Sequence, residues 1–357
     1  MNLAFQNALA GNPQKCPPIW FMRQAGRYHS HYQGIRKDHS FDEMCKNPEL
    51  AAEVALGPIR DFDFDVSILF SDLLFPLEAF GMGLTYTDQG PRLGFQLDAQ
   101  NLQTLKPYQE AIPFMQFQAD ALRATRSLLP ASKSLIGFVG GPWTLFVYAV
   151  EGSHAGSLTK SKALLSLFPK FCELMVPFLK QNIQLQLDAG AEVVMIFDTA
   201  AGELSPLVFQ SLVAPYLLEL CRAFPEKIGY YSKATQACYF QNEFLQAPWA
   251  GRGVDHHWHL PDVLKSRQEL VKSSKGQITG HITGQTPGFI QGNFDQSLLF
   301  LPTEEFKKVF ADFMQPLQNM SPEDRKGWVC GLGHGVLPKT PEKHVRLFVD
   351  SVREIFS

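Results

Sequence analysis

The chain has 357 residues, of which 45% are hydrophobic and 19% charged, and its formal net charge is −3. This composition is typical of a folded globular protein with a large core, and it excludes a disordered chain. A net negative charge also argues against nucleic acid as the main partner. One (β/α)₈ barrel with insertions accounts for the length, so we expect a single domain over residues 1–357.

Eight short apolar runs, rich in β-branched and aromatic residues, predict strands. In chain order they are Pro18–Met22, Val66–Ser71, Leu135–Val139, Val193–Phe197, Ile228–Ser232, Gly253–Trp258, Phe289–Asn293 and Trp328–Leu332. Their hydrophobicity is continuous rather than alternating. Such runs are typical of parallel strands that are covered on both faces.

Segments with a helical spacing of apolar residues lie between most of these runs. They are Pro48–Phe62, Ala111–Leu129, Leu164–Ala189, Ser205–Ala223, Pro261–Ser273, Thr303–Asn319 and Pro341–Phe356. The alternation of strand and helix predicts a closed (β/α)₈ barrel. The glycine- and threonine-rich stretch Ser274–Gly288 predicts a longer loop, which could contain a hairpin.

Neither the N-terminal residues nor the cysteines indicate export. The first fifteen residues lack the basic and apolar regions of a secretory signal, and the six cysteines show no disulfide-like spacing. Leu135–Val150 is interrupted by Gly140-Gly141-Pro142, so it predicts a buried strand followed by a helix rather than a membrane span. We therefore expect a cytoplasmic protein.

Polar residues follow several predicted strands, where a (β/α)₈ barrel carries its reacting groups. The loop after the first strand carries Arg23 and Arg27, and such guanidinium groups suit a ligand with several carboxylates. The alternative is that they pair with acids on the helix surfaces. Asp72 follows an apolar run, so its carboxylate needs either an arginine or N–H donors from a ligand. His334 lies between two glycines, where it could bind a ligand or stabilise the loop.

Five segments together resemble the uroporphyrinogen decarboxylase family. They are Pro18–Tyr28, Leu69–Leu74, Leu135–Gly152, Gln291-Gly292-Asn293 with Asp295, and Gly333-His334-Gly335. The similarity keeps register from about residue 17 to residue 350. It implies removal of the four acetate carboxyls of uroporphyrinogen, with coproporphyrinogen and CO₂ as products. It further implies no metal, no organic cofactor and a homodimer.

The resemblance also implies roles for nine residues. Asp72 would accept hydrogen bonds from pyrrole N–H groups and stabilise a cationic intermediate, and Arg23 would be the proton donor, although the general acid stays open because arginine has a pKa above ~12. The other roles are substrate binding, by Arg23, Gln24, Ala25, Gly26 and Arg27 and, through hydrogen bonds, by Tyr148, Thr199 and His334.

The sequence departs from the family at two places. Thr199 stands where serine is usual, and Val254-Asp255-His256-His257-Trp258 replaces a usual Leu-Asp-Trp. His256, His257 and His259 suggest a metal site, but alternation along a strand would send neighbours to opposite faces, so none is predicted.

Two other functions compete with decarboxylation. A zinc-dependent methyltransferase of the same superfamily needs His-x-Cys, which none of the ten histidines provides. A non-catalytic tetrapyrrole-binding protein would be expected to lose Asp72 or the arginines, and all are present.

Overall fold

The computed structural model describes residues 1–87, 90–153, 156–275 and 288–357. These residues form an α/β fold around a curled, parallel sheet of seven strands. The strands are β1 Val66–Ile68, β2 Leu84–Thr87, β3 Gly90–Leu93, β4 Ser134–Gly140, β5 Val194–Asp198, β6 Ile228–Ser232, β7 Gly251–Gly253, β8 Phe289–Phe294 and β9 Trp328–Leu332. The sheet has the order β1-β4-β5-β6-β7-β8-β9, while β2 and β3 form a separate antiparallel pair.

Helices connect successive strands of the sheet. The α-helices are α1 Leu3–Ala10, α2 Ser30–Asp38, α3 Phe41–Lys46, α4 Pro48–Phe62, α5 Phe75–Ala79, α6 Tyr108–Ala111, α7 Gln116–Leu128, α8 Pro142–Glu151, α9 Thr159–Ala163, α10 Phe168–Asp188, α11 Pro206–Val208, α12 Ala214–Ala223, α13 Asn242–Gln246, α14 Leu260–Lys275, α15 Thr303–Gln318 and α16 Glu342–Phe356. A π-helical turn, Phe209–Val213, joins α11 to α12.

Local sequence fixes where α4, the helix before β1, begins and ends. Asn47 caps α4 by accepting a hydrogen bond from the Leu50 amide at 3.0 Å, and Pro48 occupies the first helical turn. Asp63 ends the helix in the left-handed region, with φ of 58°. The chain then enters β1, all of whose residues are buried. The end of α4 therefore fixes where β1 begins, and with it the position of the residues that follow β1.

Most predicted strands are confirmed. β6 and β9 have the predicted bounds, β8 differs from the prediction by one residue at its end, and β4 and β5 differ by one residue at both ends. β1 is shorter than the predicted Val66–Ser71, because the chain leaves the sheet after Ile68.

The first predicted strand, Pro18–Met22, is wrong as a strand. Only Ile19 forms a bridge, to Cys330 of β9. The Ile19 carbonyl also accepts a hydrogen bond from the Asp65 amide at 3.0 Å, next to β1. The pairing ends after the Trp20 amide, which donates to the Cys330 carbonyl, because the Phe21 amide donates to the Gln24 side chain instead of to a strand. The sheet of the described residues therefore has seven strands where eight were predicted.

The sixth predicted strand, Gly253–Trp258, is also displaced. β7 ends at Gly253, and residues 255–258 form a turn in which the Trp258 amide donates to the Asp255 carbonyl. His256 and His257 are therefore not in a strand, and the alternation that we expected to place them on opposite faces is absent. Their rings instead lie 4.2 Å apart between centroids.

The predicted helices are confirmed in position, but three of them are composite. Ala111–Leu129 and Leu164–Ala189 begin with 3₁₀ turns, Ile112–Met115 and Leu165–Leu167, and Ser205–Ala223 contains the π-helical turn. α14 extends to Lys275, so the predicted loop Ser274–Gly288 begins later than expected. Its residues 276–287 lie outside the described part of the chain.

None of the described helices is both long enough and apolar enough to cross a membrane.

Candidate active site

A cavity of about 350 Å³ opens where β1, β5 and β9 end. Eight of the nine predicted site residues line it, and we call it the Asp72 cavity. Those eight are Arg23, Ala25, Gly26, Arg27, Asp72, Tyr148, Thr199 and His334. Residues that are far apart in the sequence therefore meet at the carboxyl-terminal ends of parallel strands.

Gln24 is the predicted site residue that the fold does not bring to this cavity. Its side chain is fully buried, with Nε2 donating to the Val66 carbonyl at 2.9 Å and Oε1 accepting from the Phe21 amide at 3.2 Å. Both ends of the amide are thus used by the protein. Gln24 ties the first loop to β1.

The Arg23 backbone adopts the left-handed region, which costs a non-glycine residue of order 1–3 kcal/mol and persists only where surrounding structure holds it. A hydrogen bond beside it joins this loop to the loop after β9. The Val336 amide donates to the Met22 carbonyl at 2.9 Å. A Cβ at Gly335 would come within 2.5 Å of Arg23 Cδ, so the loop after β9 fits the arginine only because residue 335 is glycine.

Neither Arg23 nor Arg27 belongs to any of the ion pairs between residues that the structure describes. This observation weakens the alternative that these arginines serve the helix surfaces. Two guanidinium groups are instead available to a ligand in the cavity.

Asp72 lies at the base of the cavity. Its Oδ1 accepts a hydrogen bond from the Leu74 amide at 2.8 Å. Burial raises the pKa of Asp72, while the Leu74 hydrogen bond and the positive charge of Arg23 act in the opposite direction. The carboxylate has one backbone donor and no ion-pair partner among the described residues, so it retains capacity to accept hydrogen bonds.

Tyr86 of β2 was missed by the sequence analysis. Its hydroxyl is buried and makes no hydrogen bond of normal geometry with a described residue, yet it lies close enough to Asp72 to lower the pKa of that carboxyl. Burial, and then the charge of Asp72, raise the pKa of Tyr86. A signal for it in the sequence is the alternation of larger side chains with threonines in Leu84-Thr85-Tyr86-Thr87, which matches the alternating exposure of these residues in the structure.

His334 is oriented by Tyr231 of β6. The Tyr231 hydroxyl donates to the Gly333 carbonyl at 2.8 Å and lies 3.0 Å from His334 Nδ1. The two rings are also stacked, 5.9 Å between centroids. Since the hydroxyl proton is used by Gly333, Nδ1 is the donor to the Tyr231 oxygen, and the neutral imidazole carries its proton on Nδ1.

Tyr148 and Thr199 complete the polar part of the cavity. Tyr148 lies on α8 rather than in the loop where we expected it, and burial and the charge of Asp72 raise its pKa to about 12. Thr199 follows the last residue of β5. The remaining walls are largely apolar, and they include the aromatic side chains of Phe41, Phe70, Phe138 and Phe197.

A second carboxylate, Asp198, lies immediately before Thr199 but faces away from the cavity. It is fully buried, and its Oδ1 accepts from the Thr144 amide at 3.1 Å and from the Thr144 hydroxyl at 2.6 Å. Its Oδ2 lies 3.4 Å from the Tyr230 hydroxyl. Burial raises the pKa of Asp198 to about 6.

Within the described ranges, His, Cys, Asp and Glu side chains form no group of three or more that could hold a metal ion. His257 Nδ1 instead lies 3.2 Å from the Asp255 carboxylate, and His259 pairs with Asp262.

Solved structures show the same fold at low sequence identity. A methyltransferase from Methanosarcina mazei superposes with a TM-score of 0.71 at 18% identity, covering 99% of this chain and 98% of its own. A putative vitamin-B12-independent methionine synthase from Listeria monocytogenes gives a TM-score of 0.51 at 12% identity, with 97% and 98% coverage. At such identities the likeness concerns the fold alone.

Sequence comparison reaches further. The family model described as Uroporphyrinogen decarboxylase (URO-D) matches residues 2–355. A uroporphyrinogen decarboxylase from Edwardsiella ictaluri is 34% identical over 99% of this chain and 97% of its own length. Relatives of the same name from Myxococcus xanthus and Thermus thermophilus are 33% and 30% identical, over 99% and 98% of this chain and 96% of each relative. The chain belongs to the uroporphyrinogen decarboxylase family.

Proposed function

We propose that this protein is a carboxy-lyase that removes the four acetate carboxyl groups of uroporphyrinogen III, giving coproporphyrinogen III and CO₂ in tetrapyrrole biosynthesis. Family membership supports the proposal. The observation that carries it is the combination, in one cavity, of the Asp72 carboxylate with two arginines that have no acid partner among the described residues. A ligand for this cavity must offer N–H donors and several carboxylates, which a carboxylated porphyrinogen does.

The chemical problem is the breaking of a C–C bond between an acetate methylene and its carboxylate. The electron pair left on the methylene needs an acceptor, and the pyrrole ring becomes one once a ring carbon has been protonated. CO₂ then leaves, the electron pair neutralises the ring, and a second proton transfer restores the pyrrole and leaves a methyl group. The net change is one proton for one CO₂ at each acetate.

In this scheme Asp72 stabilises the protonated pyrrole by electrostatics. Its single described backbone hydrogen bond leaves lone pairs for pyrrole N–H groups, and its anionic form is the working one. Arg23 and Arg27 bind substrate carboxylates in bidentate fashion. Arg23 is also our candidate proton donor, because the strained backbone and Gly335 fix its side chain at the cavity.

Hydrogen bonds from Tyr148, Thr199 and His334 orient the rest of the substrate. The tyrosine and threonine hydroxyls donate to carboxylates. The tautomer imposed by Tyr231 makes His334 Nε2 an acceptor in the neutral imidazole, so His334 accepts from a ring N–H unless it is protonated. Each of these roles needs only a fixed position, which α8 and the ends of β5 and β9 supply.

The proposal includes a finer architecture and assembly. The Ile19 bridge to β9 and the Asp65 hydrogen bond to Ile19 support an eight-membered closed barrel that forms one domain over residues 1–357. A cytoplasmic homodimer that requires neither metal nor organic cofactor is part of the same proposal. The methyltransferase reading rests on fold likeness alone, and this chain offers no His-x-Cys.

The proposal is tested by incubating pure protein with reduced uroporphyrinogen III without oxygen and counting product carboxyls by mass. We expect seven-, six-, five- and finally four-carboxyl species. They should form equally well after exhaustive chelation and dialysis, and elemental analysis should find no stoichiometric metal. Recovery of the eight-carboxyl substrate alone would instead favour a binding protein. One equivalent of zinc per chain, with activity lost on its removal, would favour the methyltransferase class.

A further inference from the structure

A second cavity, with a volume of about 450 Å³, lies between α13, α14 and the outer face of β7. We call it the Arg252 cavity. It is lined by none of the residues of the Asp72 cavity. Such volumes are in the range of small-molecule sites.

The middle residue of β7 directs a charged side chain into this space. Cβ atoms added at Gly251 and Gly253 would meet Phe289 and Tyr231, of the neighbouring strands. Alternation along the strand places Arg252 on the opposite face, toward the helices. An arginine there occupies a position that is normally apolar in a buried parallel strand.

The Arg252 guanidinium makes no hydrogen bond or ion pair with any residue that the structure describes, and its described partner is the Phe240 ring, 5.9 Å away. Arg267 of α14 lines the same cavity. Its Nε donates to the Gly288 carbonyl at 2.8 Å and one terminal nitrogen to the Lys326 carbonyl at 2.9 Å. A half-buried cation, Arg252, and a buried one, Arg267, thus share one cavity. Burial lowers the pKa of both to about 10, and their mutual repulsion contributes for Arg267.

The protein offers little negative charge to this pair. Asp262 lines the cavity, but its side chain is 70% exposed and it bonds His259 at 2.8 Å. The sequence of residues 276–287, which the structure does not describe, contains no Asp or Glu. A half-buried cation that has no acid partner among the described residues favours an anion from outside the chain.

The apolar part of the cavity indicates the shape of that anion. Phe240 and Trp258 are stacked with an interplanar angle of 28° and a centroid distance of 6.1 Å. Leu245 and Val263 contribute further apolar surface. Flat aromatic walls beside a guanidinium favour a planar ring that carries a carboxylate in the ring plane.

We propose that the Arg252 cavity is a binding site for a small aromatic carboxylate. Arg252 binds the carboxylate, and Phe240 and Trp258 pack against the ring. The site is separate from the Asp72 cavity, and its occupancy does not depend on the decarboxylase activity proposed above.

The probe is 4-nitrobenzoate, compared with the neutral 4-nitrobenzamide of nearly the same shape, by titration calorimetry on the full chain. We expect one molecule of acid per chain and at least ~10-fold weaker binding of the amide, the scale of a lost charged hydrogen bond. Trp258 reports the location. The other four tryptophans, Trp20, Trp143, Trp249 and Trp328, are buried, so a bound nitroaromatic should quench the accessible Trp258 fluorescence.

Three variants assign the binding. Arg252→Met should weaken 4-nitrobenzoate at least ~10-fold, because the bidentate partner is lost. Arg123→Met, an equal change of charge at a 52% exposed side chain of α7, should leave affinity unchanged. Arg27→Met tests the Asp72 cavity and should also leave it unchanged. Without probe, Arg252→Met should melt at a higher temperature than wild type, because a half-buried cation without an acid partner among the described residues has been replaced by an apolar side chain.

Equal affinity for acid and amide, loss of binding in Arg27→Met but not in Arg252→Met, or no binding at millimolar probe would each overturn the proposal. If Arg252→Met fails to fold, the wild-type protein still decides: thermal stabilisation by the acid and not by the amide supports the site, and equal effects contradict it.

Discussion

Asp72 and Asp198 lie near the ends of two strands of the same sheet, and burial raises the pKa of both, although Asp198 is fully buried and Asp72 is half-buried at the cavity. Their surroundings differ. Asp198 accepts two hydrogen bonds from Thr144 and has the Tyr230 hydroxyl nearby, whereas Asp72 has the Leu74 amide and opens onto a cavity with Arg23. A buried carboxylate with a shifted pKa is therefore not by itself a catalytic group. The unused hydrogen-bonding capacity distinguishes a group that serves a ligand from one that serves the fold.

The comparison predicts its largest effect at Asp72. Asp72→Asn keeps the shape but removes the negative charge that would stabilise a pyrrole cation, so kcat should fall by at least ~10²-fold, the scale of lost electrostatic stabilisation. The midpoint of thermal unfolding should not fall. Steady-state kinetics with uroporphyrinogen measures this effect. Turnover within about threefold of wild type would show that Asp72 does not stabilise the pyrrole cation.

Gly335→Ala tests whether the position of Arg23 matters. The new Cβ would lie 2.5 Å from Arg23 Cδ, so the arginine must shift, and a displacement of about 1 Å can cost ~10²-fold in rate. Gly34→Ala is the matched control, because a Cβ added there meets no atom within 4 Å. In α2 it should stabilise the helix by about 0.5–1 kcal/mol and leave kinetics unchanged. Similar kinetics for both variants would mean that the arginine tolerates displacement.

Thr199 is the residue after Asp198, but unlike Asp198 it lines the Asp72 cavity. A substitution there therefore tests the cavity rather than the buried hydrogen bonds of Asp198. Thr199→Val keeps the branching and volume but deletes the hydroxyl, and we expect kcat/KM to fall roughly 10- to 150-fold, as for a hydrogen bond to a charged group of ~1.5–3 kcal/mol. Thr199→Ser should be nearly silent. An active Val variant beside an impaired Ser variant would show that the methyl group matters instead.

Asp198→Asn should change turnover least, by less than about threefold, because the amide oxygen can still accept from Thr144. The substitution should instead change the free energy of unfolding. The folded pKa of about 6 exceeds the unfolded value of ~3.9, so wild type binds an extra proton when folded and loses stability as pH rises from about 4 to 6. Relative to wild type, the Asn variant should gain up to about 3 kcal/mol over this range, measured by urea unfolding at pH 4 and pH 7. A constant difference would mean that Asp198 does not titrate on folding.

The sequence predicted the elements whose pattern is strong and local. β6 and β9 are continuous apolar runs, and α4 carries a cap and a proline at its start. Pro18–Met22 has the same apolar pattern, but its pairing ends after a single bridge, where the Phe21 amide donates to the Gln24 side chain. Periodicity does not record where a chain turns away from its neighbour.

The sequence predicted which residues line the site, but not the contacts between them. The motifs named eight residues that line one cavity, because the ends of parallel strands converge. Gln24 was included with its neighbours, although its amide joins two backbone segments. Tyr86 lies on the separate β2–β3 pair, and Tyr231 acts on His334 from across the sheet. Contacts of this kind depend on folded distances that local spacing does not encode.

The close contact between Gly335 and Arg23 also constrains how this chain can change over generations. Any side chain at position 335 competes with the arginine for the same volume, so a substitution there requires either a shorter residue at 23 or a movement of the loop after β9. The two positions are therefore expected to vary together among descendants in which that loop keeps its place. A lineage that acquires alanine at 335 while keeping a functional arginine at 23 must also have moved the loop after β9.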